Sequence, residues 1–304
     1  PRLWTTWDLG AQNLYRVEVS VRDNSGFQDR EQQSFAIRKL EMAMNPGWSP
    51  EEVEYPWTVM LNGQRHYMRS ACWGGPPDMF TGQATEAMYR EYIRLAKEAN
   101  INNLRIFCWH PPEIPLFYRL CDEAGITVWQ DFSLSHYLYP RNRETIEKIF
   151  AESIDVVKQI RNNPSVVFLS GGEEILYTKS DDDSDFFLQL ITDLGKAVAP
   201  YHAVQWVPTC PLSWPNVQKV FKPRESIHAH SPHYGAGFTM LEDYYGKLEY
   251  AFIPELAITS CPSAESIRQF IPEDEVWPPG PGWGYHWADL DILRIHNYEV
   301  FGDQ

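Results

Sequence analysis

The sequence predicts an α/β protein built as a (β/α)8 barrel apparently lacking its last strand, with a smaller β-rich region in front of it. Three observations lead there. From Tyr67 onward, short apolar runs alternate with segments carrying apolar residues at helical spacing, the pattern of successive βα units around a parallel sheet. The first forty residues show strand-type alternation and turn chemistry instead. Two of the apolar runs end on glutamates, Glu174 and Glu255. The C-terminal ends of barrel strands are where enzymes of this architecture carry their catalytic groups.

Taken in order, Leu14–Val21 alternates apolar and polar residues, Asp23-Asn24-Ser25-Gly26 is a turn, and Ser34–Arg38 is a further strand. Two or three strands cannot close a sandwich, so residues 1–40 are expected to be a β appendage or the tail of a larger β domain. Residues 41–56, with Pro46-Gly47 and Ser49-Pro50, are expected to form an irregular linker. The barrel region is assigned to residues 57–304. Asn62-Gly63 between two strand-like runs predicts a type I′ hairpin. Strands follow at Tyr67–Trp73, Asn103–Trp109, Ile126–Phe132, Val166–Leu169, Ala203–Pro208, Ser226–His230 and Tyr250–Ile258.

Between them, Met88, Tyr92, Leu95 and Ala99 mark one helical face, and Pro115–Ala124 is a helix closed by Gly125. Ile146 to Ile160 forms a long amphipathic helix stopped by Asn162-Asn163-Pro164. Phe187 to Val198 forms another, after an acidic Asp181–Asp183 segment suited to a helix N-terminus. Beyond Glu255 lie a Pro- and Gly-rich loop, Trp277–Trp283, and a helix-like tail, Trp287–Phe301, but no eighth strand. The expectation is a chain cut from a longer one at both ends, with its remaining domains as partners.

Charge and composition narrow the function. Lys plus Arg is 26 against 41 Asp plus Glu, a net charge of −15, which repels phosphate backbones and argues against nucleic acid. No apolar run reaches the length of a membrane span. No signal peptide opens the chain, which begins on mid-domain sequence, so its location is left open. Cys72, Cys108, Cys121, Cys210 and Cys261 are scattered singly, reading as buried free thiols rather than a disulfide framework or a zinc ribbon. The 12 Trp and 16 Tyr suit a sugar site, since their apolar faces stack on a pyranose while carboxylates take its hydroxyls.

The stretch Ser165–Tyr177, SVVFLSGGEEILY, sets Glu173 and Glu174 just past a buried strand. Alone, such a pair is usually a solvated turn. Glu255, at the end of Tyr250-Ala251-Phe252-Ile253-Pro254-Glu255, changes that balance, because it closes a similar run three strands later. Carboxylates facing each other across a barrel mouth at about 5–5.5 Å perform retaining glycoside hydrolysis. One must stay ionised as nucleophile while the other stays protonated as acid.

Several motifs then fall in register. Trp7-Asp8-Leu9-Gly10 with Asn13-Leu14-Tyr15, Ala71-Cys72-Trp73 through Asp78-Met79-Phe80, Leu104-Arg105-Ile106-Phe107, Phe117–Ile126, Val128-Trp129-Gln130-Asp131-Phe132, Asn163-Pro164-Ser165 and Pro254-Glu255-Leu256 through Ser263 follow one order. From Trp4 to about Ser263 the chain resembles family 2 glycoside hydrolases, in their β-mannosidase and exo-β-glucosaminidase branch. The resemblance implies that residues 1–40 are the last strands of an immunoglobulin-like β-sandwich and that the barrel is the catalytic domain. It implies Glu174 as acid/base and Glu255 as nucleophile. Arg105 becomes the strand-two arginine that holds the nucleophile ionised. Trp73, Asp78, Trp129 and Asp131 fall on pocket positions, His230 on the strand-six histidine, and Glu173, Tyr234 and Trp206 join them as substrate-binding residues. No cofactor and no metal is implied, and the partner is a carbohydrate.

The departures bear on the substrate. Glu173 stands where the family has Asn, adding a negative charge beside the acid and favouring a sugar with a 2-amino group. A one-residue slip would make Glu173 the acid instead. Cys72 replaces an Asn and Pro254 a small polar residue. His228-x-His230-x-x-His233 lacks the glutamate of a metalloprotease motif and reads as a pocket wall rather than a zinc site. Trp129 and Trp206 read equally as core residues or sugar platforms, Asp131 equally as a loop cap, and Trp283–Trp287 as a lid or an exposed cluster. The expected function is retaining, exo-acting β-mannosidase-like hydrolysis. The alternatives are exo-β-D-glucosaminidase activity and a catalytically silent carbohydrate-binding relative.

Overall fold

The computed structural model describes residues 1–75, 82–176, 181–213, 221–230, 246–257 and 263–285, with the backbone alone at 181–182, 229–230, 257 and 284–285. It divides into two compact units, Pro1–Pro223 and Arg224–Gln304.

In the first unit, β1 (Leu14–Arg22) and β2 (Gln28–Ala36) form an antiparallel hairpin. Its turn is tied by Asp23 Oδ1, which accepts from the backbone N–H of Ser25 and Phe27 at 2.9 and 3.0 Å. The hairpin stands in solvent, with Val17, Val19 and Val21 all exposed. A three-stranded antiparallel sheet follows, β3 (Leu40–Ala43), β4 (Thr58–Leu61) and β5 (Gln64–His66). The β4–β5 turn is the expected one: Asn62 and Gly63 have φ of 54° and 80°, and type I′ needs both central residues left-handed. β3 occupies the first residues of the expected linker. Four residues of alternation are too few to read as a strand until β4 pairs with them.

The residues before the hairpin belong to the body of the unit, not to an appendage. Trp4 is fully buried and its indole donates to the Asp122 carbonyl at 2.8 Å; Trp7 donates to the Ile101 carbonyl at 3.0 Å. Arg38 Nη2 donates to the Val166 carbonyl at 2.6 Å.

These acceptors lie at the N-terminal end of a five-stranded parallel sheet whose strands stand in chain order. They are β6 (Ser70–Trp73), β7 (Asn103–Ile106), β8 (Thr127–Asp131), β9 (Val166–Ser170) and β10 (Gln205–Val207). Helices α1 (Glu86–Glu98), α2 (Pro115–Ala124), α3 (Arg143–Ile160) and α4 (Asp181–Val198) connect them. Every residue of β7, β8 and β9 is buried, as a parallel sheet covered on both faces requires. The helices begin and end on local chemistry. Thr85 and Asn142 cap α1 and α3 by accepting from Met88 and Thr145, and α2 starts on Pro115. Gly125 ends α2 at φ 72°, where a Cβ would lie 2.6 Å from the Trp7 nitrogen. The main core lies between sheet and helices, with Trp73, Leu104, Ile106, Val128 and Leu169 against Tyr89, Phe117, Leu120, Val157 and Leu194.

In the second unit β11 (Ser226–His230) and β12 (Phe252–Ala257) pair in parallel, with Ser226 opposite Phe252 and His228 opposite Glu255. Three short helices follow, α5 (Ala264–Ile267), α6 (Glu273–Val276) and α7 (Pro281–Tyr285). The loop expected at Trp277–Trp283 therefore runs into a helix, and the Trp283 indole donates to the Glu275 carbonyl at 2.9 Å. The tail expected as a helix, Trp287–Phe301, lies outside the described residues. Among those residues the parallel strands form one sheet of five and one of two.

Candidate active site

The sheet register sorts the predicted residues onto two faces. Cys72, Arg105, Trp129, Phe168 and Gln205 lie opposite one another across β6 to β10, with Asp131, Ser170 and Val207 two residues further along. Trp73, Ile106, Gln130, Leu169 and Trp206 form the alternate row. Trp73, Ile106 and Leu169 belong to the helix-facing core, so the row with Arg105 faces the other way.

On that other face Arg105 is 1% exposed, and its Nε and Nη2 donate to Asp131 Oδ2 at 3.0 and 2.7 Å. Its guanidinium also lies 5.4 Å over the Trp129 ring, which stacks on Phe168 at 5.0 Å. Burial works against the arginine's charge. Asp131, with Glu173 and neighbouring thiols behind it, outweighs that and keeps the guanidinium protonated well above its ordinary range. For Asp131, burial pushes the carboxyl up while Arg105 pulls it down. With a permanently charged partner at 2.7 Å, the pair is ionic.

The segment after β9 is shaped by close approach. A Cβ on Gly171 would lie 2.3 Å from the Pro208 carbonyl oxygen, and one on Gly172, at φ 139°, would lie 2.2 Å from that of Leu134. Only glycines let the loops after β8 and β10 come this near. Backbone bonds lock the turn: Glu173 N–H to Leu134, Glu174 N–H to Cys210 and Cys210 N–H to Gly172, at 2.9, 2.7 and 3.1 Å. Glu174 is thereby held at φ 48°, a left-handed conformation uncommon for a residue with a side chain.

The turn sends two adjacent carboxylates to different surroundings. Glu173 is buried, with Oε1 3.8 Å from Arg105 Nη2 and Oε2 accepting from the Cys108 thiol at 3.2 Å. Burial and this carboxylate push the Cys108 thiol far above its ordinary pKa, so it stays a protonated donor. Glu174 keeps some exposure, and its Oε2 lies 3.7 Å from His136 Nδ1. In the second unit, Glu255 lies opposite His228, with Oε2 3.9 Å from His228 Nε2.

Of the predicted site residues, Arg105, Trp129, Asp131 and Glu173 share one face or cluster, with Glu174 at its rim. Within the first unit Arg105 pairs with Asp131, so Asp131 is an ion-pair partner. Trp129 is a buried platform for that guanidinium. Two of the predicted residues lie apart from this cluster. Trp73 lies on the helix side, 5% exposed, with its indole donating to buried Glu113 at 2.8 Å. Trp206 lies on the helix side as well, packed against Gly195 of α4, and lines a 560 Å³ cavity with Tyr55, Leu188, His202 and Phe221. Strand alternation accounts for both, since neighbours Cys72 and Trp73 must point to opposite faces. Asp78 and Tyr234 lie outside the described residues. So does the side chain of His230, whose backbone pairs with Ala257. The histidine found beside Glu255 is His228. Sequence reasoning also missed Cys108, His136, Trp109 and Tyr137, because they sit on loops after strands and carry no periodic signal.

No protein-family model matches the chain. It is similar to β-mannosidase A of Aspergillus fumigatus, at 28% identity over 349 aligned residues covering 99% of this chain and 35% of that protein. Its fold superposes on the crystal structure of β-D-mannosidase from Dictyoglomus thermophilum with a TM-score of 0.78 and 26% identity, covering 100% of this chain and 38% of that one. The fold alone is shared with the exo-chitosanase CsxA of Amycolatopsis orientalis, at a TM-score of 0.63 and 12% identity over 90% of this chain and 31% of that one. The motif resemblance to family 2 glycoside hydrolases agrees with these end-to-end likenesses to β-mannosidases. The chain spans little more than a third of the length of the relatives it matches end to end.

Proposed function

We propose that the chain carries the catalytic core of a retaining, exo-acting β-glycosidase of β-mannosidase type, its parallel strands closed as a (β/α)8 barrel. The observation that carries this reading is the division of labour at the Glu173–Glu174 turn. A left-handed backbone keeps Glu174 at the rim, beside His136, while Glu173 is buried against Arg105 and Cys108. A residue that must deliver a proton to a glycosidic oxygen and then accept one from water needs such a place. This also supports Glu174 over Glu173 as acid/base. The end-to-end likeness to β-mannosidases supports the substrate class.

In this reaction Glu255 attacks the anomeric carbon and the C–O bond to the leaving group breaks. Glu174 protonates the departing oxygen, then takes a proton from the water that hydrolyses the glycosyl ester and restores Glu255. Arg105, held by Asp131, supplies fixed positive charge to the floor of the site.

Incubation with a 2-deoxy-2-fluoro β-mannoside carrying a dinitrophenolate leaving group tests the reading. The expected result is a stable ester on the peptide containing Glu255. Turnover of β-mannosides without that label, or with inverted product, overturns it. Sugar binding with neither turnover nor label would instead identify a catalytically silent relative. A second substrate, the 2-amino glucoside, is favoured by one observation: Glu173 puts a buried carboxylate beside the acid. Side-by-side rates on β-mannoside, β-glucosaminide and β-galactoside separate the two.

A further inference from the structure

We propose that Trp109 and Tyr137 form the subsite for the leaving group, and that this group is itself a pyranose. The substrate is then a β-linked oligosaccharide rather than a small alkyl glycoside. This rests on the reading of Glu174 as acid/base.

Trp109, three residues past β7, is 60% exposed, and Tyr137, six residues past β8, is 56% exposed. Large aromatic rings offered to water in this way contribute little to the core. Their rings lie 29° from parallel with centroids 6.4 Å apart, a stacked pair in which both rings stay open to solvent. The His136 ring packs against both, at 6.0 Å from Trp109 and 4.7 Å from Tyr137. Its Nδ1 in turn lies 3.7 Å from Glu174 Oε2. The aromatic surface therefore runs without a break up to the acid.

Position assigns the ligand. The oxygen that an acid/base protonates belongs to the leaving group, so what borders Glu174 on its exposed side meets that group. The transferred sugar is left the buried groups of the same cluster, Glu173, Arg105 and Asp131. An exposed aromatic face of this pair fits the C–H face of a pyranose ring, while a methyl group would leave most of it uncovered.

The test compares a β-1,4-linked mannotriose with methyl β-mannoside in the wild-type protein and in Trp109→Ala, Tyr137→Ala and Trp109→Phe. The kcat/KM ratio of trisaccharide to methyl glycoside is expected to fall about ten-fold in each alanine variant, a change of about 1.4 kcal/mol, and to recover largely in Trp109→Phe. A ratio held within about two-fold in both alanine variants overturns the subsite, whatever the absolute rates do. If the wild-type protein cleaves neither sugar, the glycosidase reading falls separately. Titration calorimetry with mannotriose then decides the subsite: binding about ten-fold weaker in Trp109→Ala upholds it, and equal or undetectable binding in both proteins overturns it.

Discussion

Arg105 and Asp131 lie on adjacent parallel strands, 26 residues apart in the chain, and meet at 2.7 Å with both side chains closed off from solvent. Taking two charges out of water is expensive, so each depends on the other. Asp131→Ala removes the 2.7 Å partner and leaves Glu173 Oε1 3.8 Å from the guanidinium. The expected loss is about 3–5 kcal/mol in urea unfolding, with a smaller loss for Asp131→Asn, which still accepts. A loss below about 1 kcal/mol for the alanine variant would mean that other groups carry the charge.

Gly172 and Gly26 both have left-handed φ, 139° and 93°, but differ in surroundings. A Cβ at Gly172 strikes the Leu134 carbonyl, while one at Gly26 meets nothing within 4 Å. Gly26→Ala should cost about 1–2 kcal/mol from backbone strain alone. Gly172→Ala should cost more and lower turnover as well, because the Leu134–Glu173 bond must shift. Equal costs in thermal unfolding would show that the loop after β8 moves aside freely.

Trp4 tests whether the first residues belong to the body of the first unit. Trp4→Ala removes a fully buried ring and is expected to lose about 3–5 kcal/mol. Trp4→Phe keeps most of the packing and loses the bond to Asp122, for about 1 kcal/mol. Val19→Ala on the exposed hairpin should stay within about 0.5 kcal/mol. Comparable losses at positions 4 and 19 would contradict the placement.

His66 gives the acid limb of stability a definite sign. Burial, with a small contribution from Arg69, lowers its pKa to about 4 against the pull of Asp8. Thr127 Oγ1 donates to the Asn102 carbonyl, so the neutral ring donates its Nε2 proton to Thr127 at 3.0 Å. Between the ordinary histidine pKa and about 4 the unfolded chain binds a proton that the folded one does not. Stability therefore falls as pH drops through that window, by roughly 3 kcal/mol from this residue. Asp122, raised to about 6 chiefly by burial, acts oppositely, losing stability as pH rises toward 6. The difference between wild type and His66→Gln, followed by unfolding from pH 4 to 7, isolates the histidine. A flat difference would refute the assignment.

The sequence by itself determined the order of most elements. Alternating apolar runs and helical faces are local signals, and Asn62-Gly63, Gly125 and Pro164 punctuate them wherever the backbone requires it. The apolar runs that carry Glu173, Glu174 and Glu255 were legible for the same reason, although Glu255 lies within β12 rather than past its end. Only the tertiary structure decided which side each residue serves. Trp73 and Trp206 carry the right chemistry for a sugar pocket, but strand alternation turns them toward the helices. Glu173 and Glu174 are indistinguishable as letters. They separate because loops after β8 and β10 approach within reach of one turn and fix Glu174 in a left-handed backbone. His136 reaches Glu174, and Trp109 reaches Tyr137, only because parallel strands bring successive loops to the same end of the sheet. No spacing in the chain encodes that convergence.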